Sequence, residues 1–169
     1  KAPVVVVCID GSEPDYMEDA MAAGRMPWLK SVLPGGADLR ADCVVPSFTN
    51  PNNLSIVTGQ PPAVHGICGN FFYDPAKNAE VMMNDPAYLR APTLFAAFQE
   101  AGATIAVVTA KDKLRRLLGH GMTMKAGEAV SFSAEKADEA TVAENGIDGL
   151  LEMVGKPLPS VYSADLDRK

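Results

Sequence analysis

Cysteine and histidine are scarce in this sequence, positive charge is in deficit, and no apolar run is long enough to cross a membrane. The 169 residues hold 3 Cys and 2 His. An odd cysteine count, with Cys8 inside the apolar run 4–9, does not read as a disulfide framework; it reads as reduced, buried thiols in an intracellular, cytoplasmic protein. Lys plus Arg number 15 against 21 Asp plus Glu, a net charge of −6. That balance argues against nucleic acid as the main partner. Nothing at the start reads as a signal peptide, in a chain that begins with Lys1 rather than Met. Hydrophobic residues at 47% and charged residues at 21% exclude disorder along the whole chain, and the length suits one domain or a lobe of a larger one.

Strand and helix signals alternate. The run 4–9, bounded by Asp10-Gly11-Ser12, predicts a strand buried on both faces. Residues 14–23 predict a helix stopped by Gly24, 27–33 a helical turn closed by Pro34-Gly35-Gly36, and 39–45 a second strand ended by Pro46. Thr49-Asn50-Pro51 opens the next helix, with Asn50 as N-cap and Pro51 at the first helical position, and Gly59 ends it. Residues 60–73 read as a loop, 92–101 as a helix with Leu94, Phe95, Phe98 and Ala101 on one apolar face, and 104–109 as a buried strand. Helices are expected over 113–118, 137–144 and 149–154, stopped by Gly119, Asn145-Gly146 and Gly155 respectively. Met82, Met83, Met122 and Met124 read as core or loop filler, and Trp28 as a packing residue. The expected fold class is α/β, a mainly parallel sheet with helices on both faces.

Ligands in open α/β sheets bind beyond the carboxyl ends of the strands. Asp10 follows such a strand and is placed to hold a metal cation, although Asp-Gly is also a common turn dipeptide. Thr49 precedes a helix start, whose unpaired amides attract anions. A hydroxyl there can be activated by a metal to attack phosphorus, or can cap the helix. Lys111, Asp112, Lys113, Arg115 and Arg116 make a local charge of +3. Lys111, just before the helix, reads as a substrate contact, and Arg115 and Arg116 as a solvated helix face.

Pro46-Ser47-Phe48-Thr49-Asn50-Pro51, continuing through Val57-Thr58-Gly59 to His65-Gly66-Ile67-Cys68-Gly69-Asn70, resembles the nucleophile segment of the alkaline phosphatase superfamily. Within it, the segment resembles the nucleotide pyrophosphatase/phosphodiesterase branch. Together with Thr109-Ala110-Lys111-Asp112-Lys113-Leu114, it is most similar to the phosphonoacetate hydrolase subfamily. The resemblance runs from Val4 to about Leu118. It implies an alkaline-phosphatase-like fold. It also implies zinc-dependent hydrolysis of the carbon–phosphorus bond of phosphonoacetate to acetate and phosphate, through a phospho-threonine intermediate and with two zinc ions in the complete active site. By the same resemblance Asp10 would be a zinc ligand, and Thr49 would bridge to that zinc and act as the nucleophile. Asn70 would donate to a phosphoryl oxygen, Lys111 and Lys113 would meet the anionic substrate, and His65 would be structural.

The family places most of its metal ligands farther along, in Asp and His motifs that this sequence lacks. Its histidines, His65 and His120, lie in no such pattern, and Asp10 with Thr49 cannot build two zinc sites of about three protein ligands each. The 169 residues therefore read as the N-terminal portion of a single catalytic domain. The rest of the enzyme is needed for activity, no membrane or nucleic acid is involved, and a homodimer is allowed. Two alternatives stay open. One is a phosphodiesterase or nucleotide pyrophosphatase that uses Phe71, Phe72 and Tyr73 as an aromatic slot for a base. The other is a non-catalytic α/β module that holds an anion at its helix start.

Overall fold

Proline opens and glycine closes the first helix, α1 (Pro14–Ala22). Beyond its end, Gly24 N–H donates to Met21 O and Arg25 N–H to Ala20 O, with Gly24 at a φ of 73°. This is a Schellman ending, which needs a left-handed residue at that place. Then comes α2 (Pro27–Val32), extended by a 3₁₀ turn over Leu33–Gly35. The structure, a computed structural model, describes residues 2–155. The stretch 163–169, which carries no Asp and His ligand motif of the family, lies outside the described residues. The chain divides into two units, Lys1–Asp42 and Cys43–Lys169.

In the first unit none of the described residues is buried. Arg40 pairs with Glu18 and, at 3.8 Å, with Asp38, all on the surface, where such pairs contribute little. The predicted strand over 4–9 is not formed: Val4 to Val7 are 76–86% exposed. The predicted strand over 39–45 is likewise absent, with Leu39 and Val45 exposed. A strand exists only where a neighbouring strand completes its ladder, and among the described residues neither segment pairs with a strand. Cys8, Cys43 and Cys68 are exposed thiols rather than buried ones, and Trp28 is exposed rather than packed.

The second unit begins with α3 (Thr49–Thr58), closed by Gly59, and the one-turn helix α4 (Pro62–His65). Phe48, not Asn50, is the N-cap of α3, so Asn50 and Pro51 lie within the first turn. Residues 60–73 are not loop throughout, because α4 and the start of β1 (Phe71–Asp74) fall there. β1 pairs antiparallel with β2 (Ala79–Met82) in a hairpin, Phe71 opposite Met82 and Asp74 opposite Ala79. α5 (Leu94–Glu100) starts at Thr93, whose hydroxyl accepts from Ala96 N–H. Only Phe95 of its expected apolar face packs on the core, while Leu94 and Phe98 are exposed.

β3 (Ile105–Thr109), α6 (Asp112–Leu118) and β4 (Ala129–Ser133) form a βαβ unit. β3 and β4 pair in parallel, Ile105 opposite Ala129 and Thr109 opposite Ser133, with α6 packed on both. One face of each strand is covered: Ile105, Val107, Ala129, Ser131 and Ser133 are buried, while Val108 is exposed. The predicted helix over 137–144 is broken into a 3₁₀ turn at Ala137–Glu139 and α7 (Val142–Asn145). Thr141 restarts the helix because its hydroxyl caps Glu144 N–H. α8 (Leu150–Val154) ends at Gly155. The core joins Leu54 and Val57 of α3, Ile67, Met83, Leu89, Ile105 and Val107 of β3, and Leu117 and Leu118 of α6.

Candidate active site

Leu54 and Val57 seat α3 in the core, and this fixes where its first turn stands. Side-chain amides then hold that turn. Val44 N–H donates to Asn52 Oδ1 at 2.9 Å, and Asn52 Nδ2 donates to Phe48 O at 3.1 Å. Asn53 Nδ2 donates to Thr49 O at 2.9 Å. Thr49 is the first helical residue and lies exposed, at the place where helix amides favour negative charge. The sequence reading missed Asn52 and Asn53 as elements of this start. The signal was the asparagine run itself, since three side-chain amides in one helical turn disfavour a helix unless they bond backbone groups nearby.

Asn70 is exposed in the loop before β1, and its carbonyl accepts Met83 N–H at 2.8 Å. Met83 O in turn accepts Asn50 Nδ2 at 3.4 Å. The buried Met83 therefore joins the Asn70 loop to the first turn of α3. A second tie comes from His65, which is fully buried. Its Nδ1 accepts Ile67 N–H at 3.2 Å, so in the neutral ring the proton sits on Nε2 and is donated to Ser55 Oγ at 3.1 Å. Burial pushes the His65 pKa down, and the positive charge of Arg90 adds to this against opposing hydrogen bonds to the backbone carbonyls of Pro51 and of His65 itself. His65 orders the loop, in line with its structural reading.

Lys111 is the exposed N-cap of α6, immediately beyond β3, and Lys113 is exposed in the first helical turn. Thr109 Oγ1 donates to Lys111 O at 2.8 Å, and Glu135 Oε2 accepts Asp112 N–H at 2.8 Å. Glu135 is an acidic neighbour of this helix start that the sequence did not signal. Arg115 is not the solvated residue expected: its side chain is 13% exposed and its Nε donates to Asp112 Oδ1 at 2.5 Å. Burial pushes the Asp112 pKa up, but the hydrogen bond and charge of Arg115, with Ser133 and Lys136, outweigh this and hold it below the usual carboxylate range. Arg116 is exposed, as expected.

Asp10 lies in the first unit, in a turn with Gly11 at a φ of 67°, and Ser12 Oγ donates to Ile9 O at 2.8 Å. The structure thus brings the Thr49 helix and the Asn70 loop together within one unit, whereas Asp10 belongs to the other. Of the aromatic residues offered as a base slot, Phe71 and Tyr73 are exposed, but Phe72 turns into the core with its ring edge-on to Tyr88 at 5.1 Å. A cavity of about 590 Å³ runs along α6 and β4, lined in part by Arg116, Ser131 and Glu144 and by none of the candidate residues. The buried Ser131 hydroxyl at its wall has no hydrogen-bond partner among the described residues.

Among the described residues no three of His, Cys, Asp and Glu converge on a point that could hold a metal ion. The donors on these residues therefore do not by themselves make either zinc site that the resemblance implies.

Residues 4–139 match the family of type I phosphodiesterases and nucleotide pyrophosphatases, and the chain belongs to that family. The solved structure of phosphonoacetate hydrolase from Sinorhizobium meliloti in complex with phosphonoformate is 61% identical with a TM-score of 0.88, covering 94% of this chain and 38% of that one. The same enzyme in complex with phosphonoacetate matches at 60% identity and the same TM-score. An uncharacterised pyrophosphatase/phosphodiesterase of Schizosaccharomyces pombe is 32% identical over 96 residues, 55% of this chain and 19% of that protein. An ectonucleotide pyrophosphatase/phosphodiesterase of Caenorhabditis elegans is 34% identical over 84 residues, 47% of this chain and 10% of that protein. The chain thus spans well under half the length of each of these relatives. Its fold is α/β and alkaline-phosphatase-like, represented here by a parallel pair, an antiparallel hairpin and the helices around them. No helix among the described residues is long and apolar enough to cross a membrane.

Proposed function

We propose that this chain is the N-terminal portion of a single catalytic domain. In the complete enzyme that domain hydrolyses the carbon–phosphorus bond of phosphonoacetate to acetate and phosphate. The observation that carries the reading is the 61% identity, over 94% of this chain, to a hydrolase solved with phosphonoformate and with phosphonoacetate. Zinc, as two ions per complete site, belongs to the proposal. Asp10 and Thr49 would serve as ligands beside donors from the rest of the enzyme. The dianionic small molecule is the substrate partner, nucleic acid and membrane are not partners, a homodimer is allowed, and exposed thiols suit a cytoplasmic enzyme.

The chain's own residues have defined work in this reaction. Thr49 Oγ attacks phosphorus in line with the carbon–phosphorus bond. The new O–P bond forms as the C–P bond breaks, and its electron pair passes to the methylene carbon, where the neighbouring carboxylate shares it. The proton that the Thr49 hydroxyl gives up balances the one taken up by that carbon, which gives acetate. Asn70 donates to an oxygen of the transferring phosphoryl group, and the start of α3 stabilises its negative charge. Lys111, with Lys113 as its neighbour, holds the substrate's anionic end. Water then cleaves the phospho-threonine and releases phosphate.

Phosphate release from phosphonoacetate by the full-length enzyme tests the proposal. Cleavage of a nitrophenyl phosphodiester with no release from phosphonoacetate would instead favour the nucleotide pyrophosphatase/phosphodiesterase reading. The exposed rings of Phe71 and Tyr73 give that second reading a surface for a base. A full-length protein that binds phosphonoacetate without turnover would leave the anion-binding module.

A further inference from the structure

We infer that Asn52 is the positioning residue of Thr49: it braces the extended approach 44–48 against the first turn of α3 and so sets where the Thr49 hydroxyl stands. The inference deepens the proposed function and rests on Thr49 being the nucleophile. The approach to α3 is not a strand among the described residues, so no ladder fixes it. A side chain replaces the ladder. The half-buried Val44 N–H finds its acceptor in Asn52 Oδ1 at 2.9 Å. The same amide donates Nδ2 to Phe48 O at 3.1 Å, and Asn52 N–H donates to that carbonyl at 3.2 Å. Phe48 O belongs to the peptide that leads into Thr49. Two donors on one carbonyl hold that peptide plane, and the plane sets the direction in which the Thr49 side chain leaves the backbone.

The neighbouring asparagines bond other backbone groups. Asn50 turns to Met83 O, and Asn53 Nδ2 donates to Thr49 O. Asn52 reaches back across the helix start to Val44. A side-chain amide suits the role because it carries an acceptor and a donor at one end. Aspartate keeps the acceptor for Val44 but loses the donor for Phe48. Alanine loses both and leaves Val44 N–H without its acceptor. The Asn52 side chain bonds the backbone of Val44 and Phe48, so its effect on chemistry passes through Thr49.

The test uses the full-length enzyme with Asn52→Ala, Asn52→Asp and Thr49→Ala, reading kcat and KM on phosphonoacetate, the unfolding midpoint, and hydrogen exchange of the Val44 amide. A misplaced nucleophile costs up to about a hundredfold in rate. Asn52→Ala is expected to lower kcat by about ten- to a hundredfold with KM within about threefold. Val44 exchange should quicken, and Asn52→Asp should fall between alanine and wild type in kcat. A folded Asn52→Ala enzyme with kcat within about twofold of wild type would overturn the inference. If the alanine variant does not fold, Asn52→Asp decides: wild-type kcat there overturns it, because the side chain's bond to Phe48 O is gone. Unchanged Val44 exchange in a folded Asn52→Ala enzyme also overturns it. Turnover retained by Thr49→Ala would remove the nucleophile reading and this inference with it. That failure is distinguishable, because Val44 exchange would still respond to Asn52→Ala.

Discussion

His65 donates from Nε2 to Ser55 Oγ at 3.1 Å, and this bond ties the turn leading to Asn70 to the helix that begins at Thr49. The ring is wholly enclosed, and its other nitrogen is taken by Ile67 N–H. Both nitrogens are committed with a single proton between them, so the neutral form is the one that fits.

The pH dependence of stability follows from that. The folded-state pKa of His65 lies below its ordinary value of 6.5, so the unfolded chain binds the proton more readily. The stabilisation is full above 6.5 and is lost as pH falls from there towards the folded value. We predict that urea unfolding of the full-length enzyme shows less stability at mildly acid pH than at neutral pH, and that His65→Gln flattens this dependence. The substitution should itself cost roughly 1–3 kcal/mol, because it leaves a buried donor or acceptor unanswered. An unchanged slope in the variant would place the acid-sensitive group elsewhere.

For Thr49 the expected outcome is loss of turnover on Thr49→Ala, with the fold kept, because the residue is exposed at a helix start. Thr49→Ser keeps a hydroxyl and should retain part of the activity. Phosphate release and the unfolding midpoint, measured on the same preparations, separate chemistry from stability. Turnover by Thr49→Ala within about tenfold of wild type would rule out the nucleophile role.

What was legible in the sequence was local. Helix ends at Gly24, Gly59, Gly119, Gly146 and Gly155 fall where glycine and proline predict, because caps depend on a few neighbouring residues. The strand expected over 104–109 formed as β3, but strands otherwise failed in both directions. The run 4–9 has the composition of a central strand but no paired strand among the described residues. β4 was not anticipated, because its buried face is Ala129, Ser131 and Ser133, and two serines inside a strand break the apolar signal. At the site, Thr49 and Lys111 were named from their places at helix starts and, with Asn70, through a resemblance in motif. The bonds of Asn52 to Val44 and of Met83 to Asn70 depend on how the chain returns on itself, which no local pattern encodes.

Gly146 is a backbone requirement that the sequence marked only as a helix stop. It stands at a φ of 72°, and a Cβ there would lie 2.2 Å from Ala129 O. The obstacle is the backbone of β4, which cannot swing aside as a side chain would. We predict that Gly146→Ala destabilises the full-length enzyme by roughly 3 kcal/mol or more, combining positive-φ strain with overpacking. A change in unfolding free energy below about 1 kcal/mol would mean that α7 moves away from β4 without cost.

Asp10 carries the metal side of the proposal. In the full-length enzyme its carboxylate should bind zinc at roughly 2.0–2.2 Å. Asp10→Asn is expected to lose one zinc per subunit before it loses the fold, read by metal analysis beside circular dichroism. Two zinc ions retained by the variant would strike Asp10 from the ligands.

Lys111 stands at the boundary between β3 and α6, where a crevice beyond strand ends receives ligands in folds of this kind. Its neighbourhood is mixed in sign. Lys113 adds positive charge, while Arg115 is committed to Asp112, and Glu135 accepts the first amide of the helix. An ammonium with three donors suits a carboxylate or phosphonate oxygen. Phosphonoacetate offers a carboxylate that a nitrophenyl phosphate ester lacks, so the two substrates weigh Lys111 differently. We predict that Lys111→Ala raises KM for phosphonoacetate and leaves the ester nearly unaffected. Loss of a charged hydrogen-bond partner costs roughly 1.5–3 kcal/mol, or about one to two orders of magnitude in kcat/KM. Equal losses on both substrates would assign Lys111 to the shared phosphoryl group or to folding. No loss on either would pass the role to Lys113, whose alanine variant should then carry the difference.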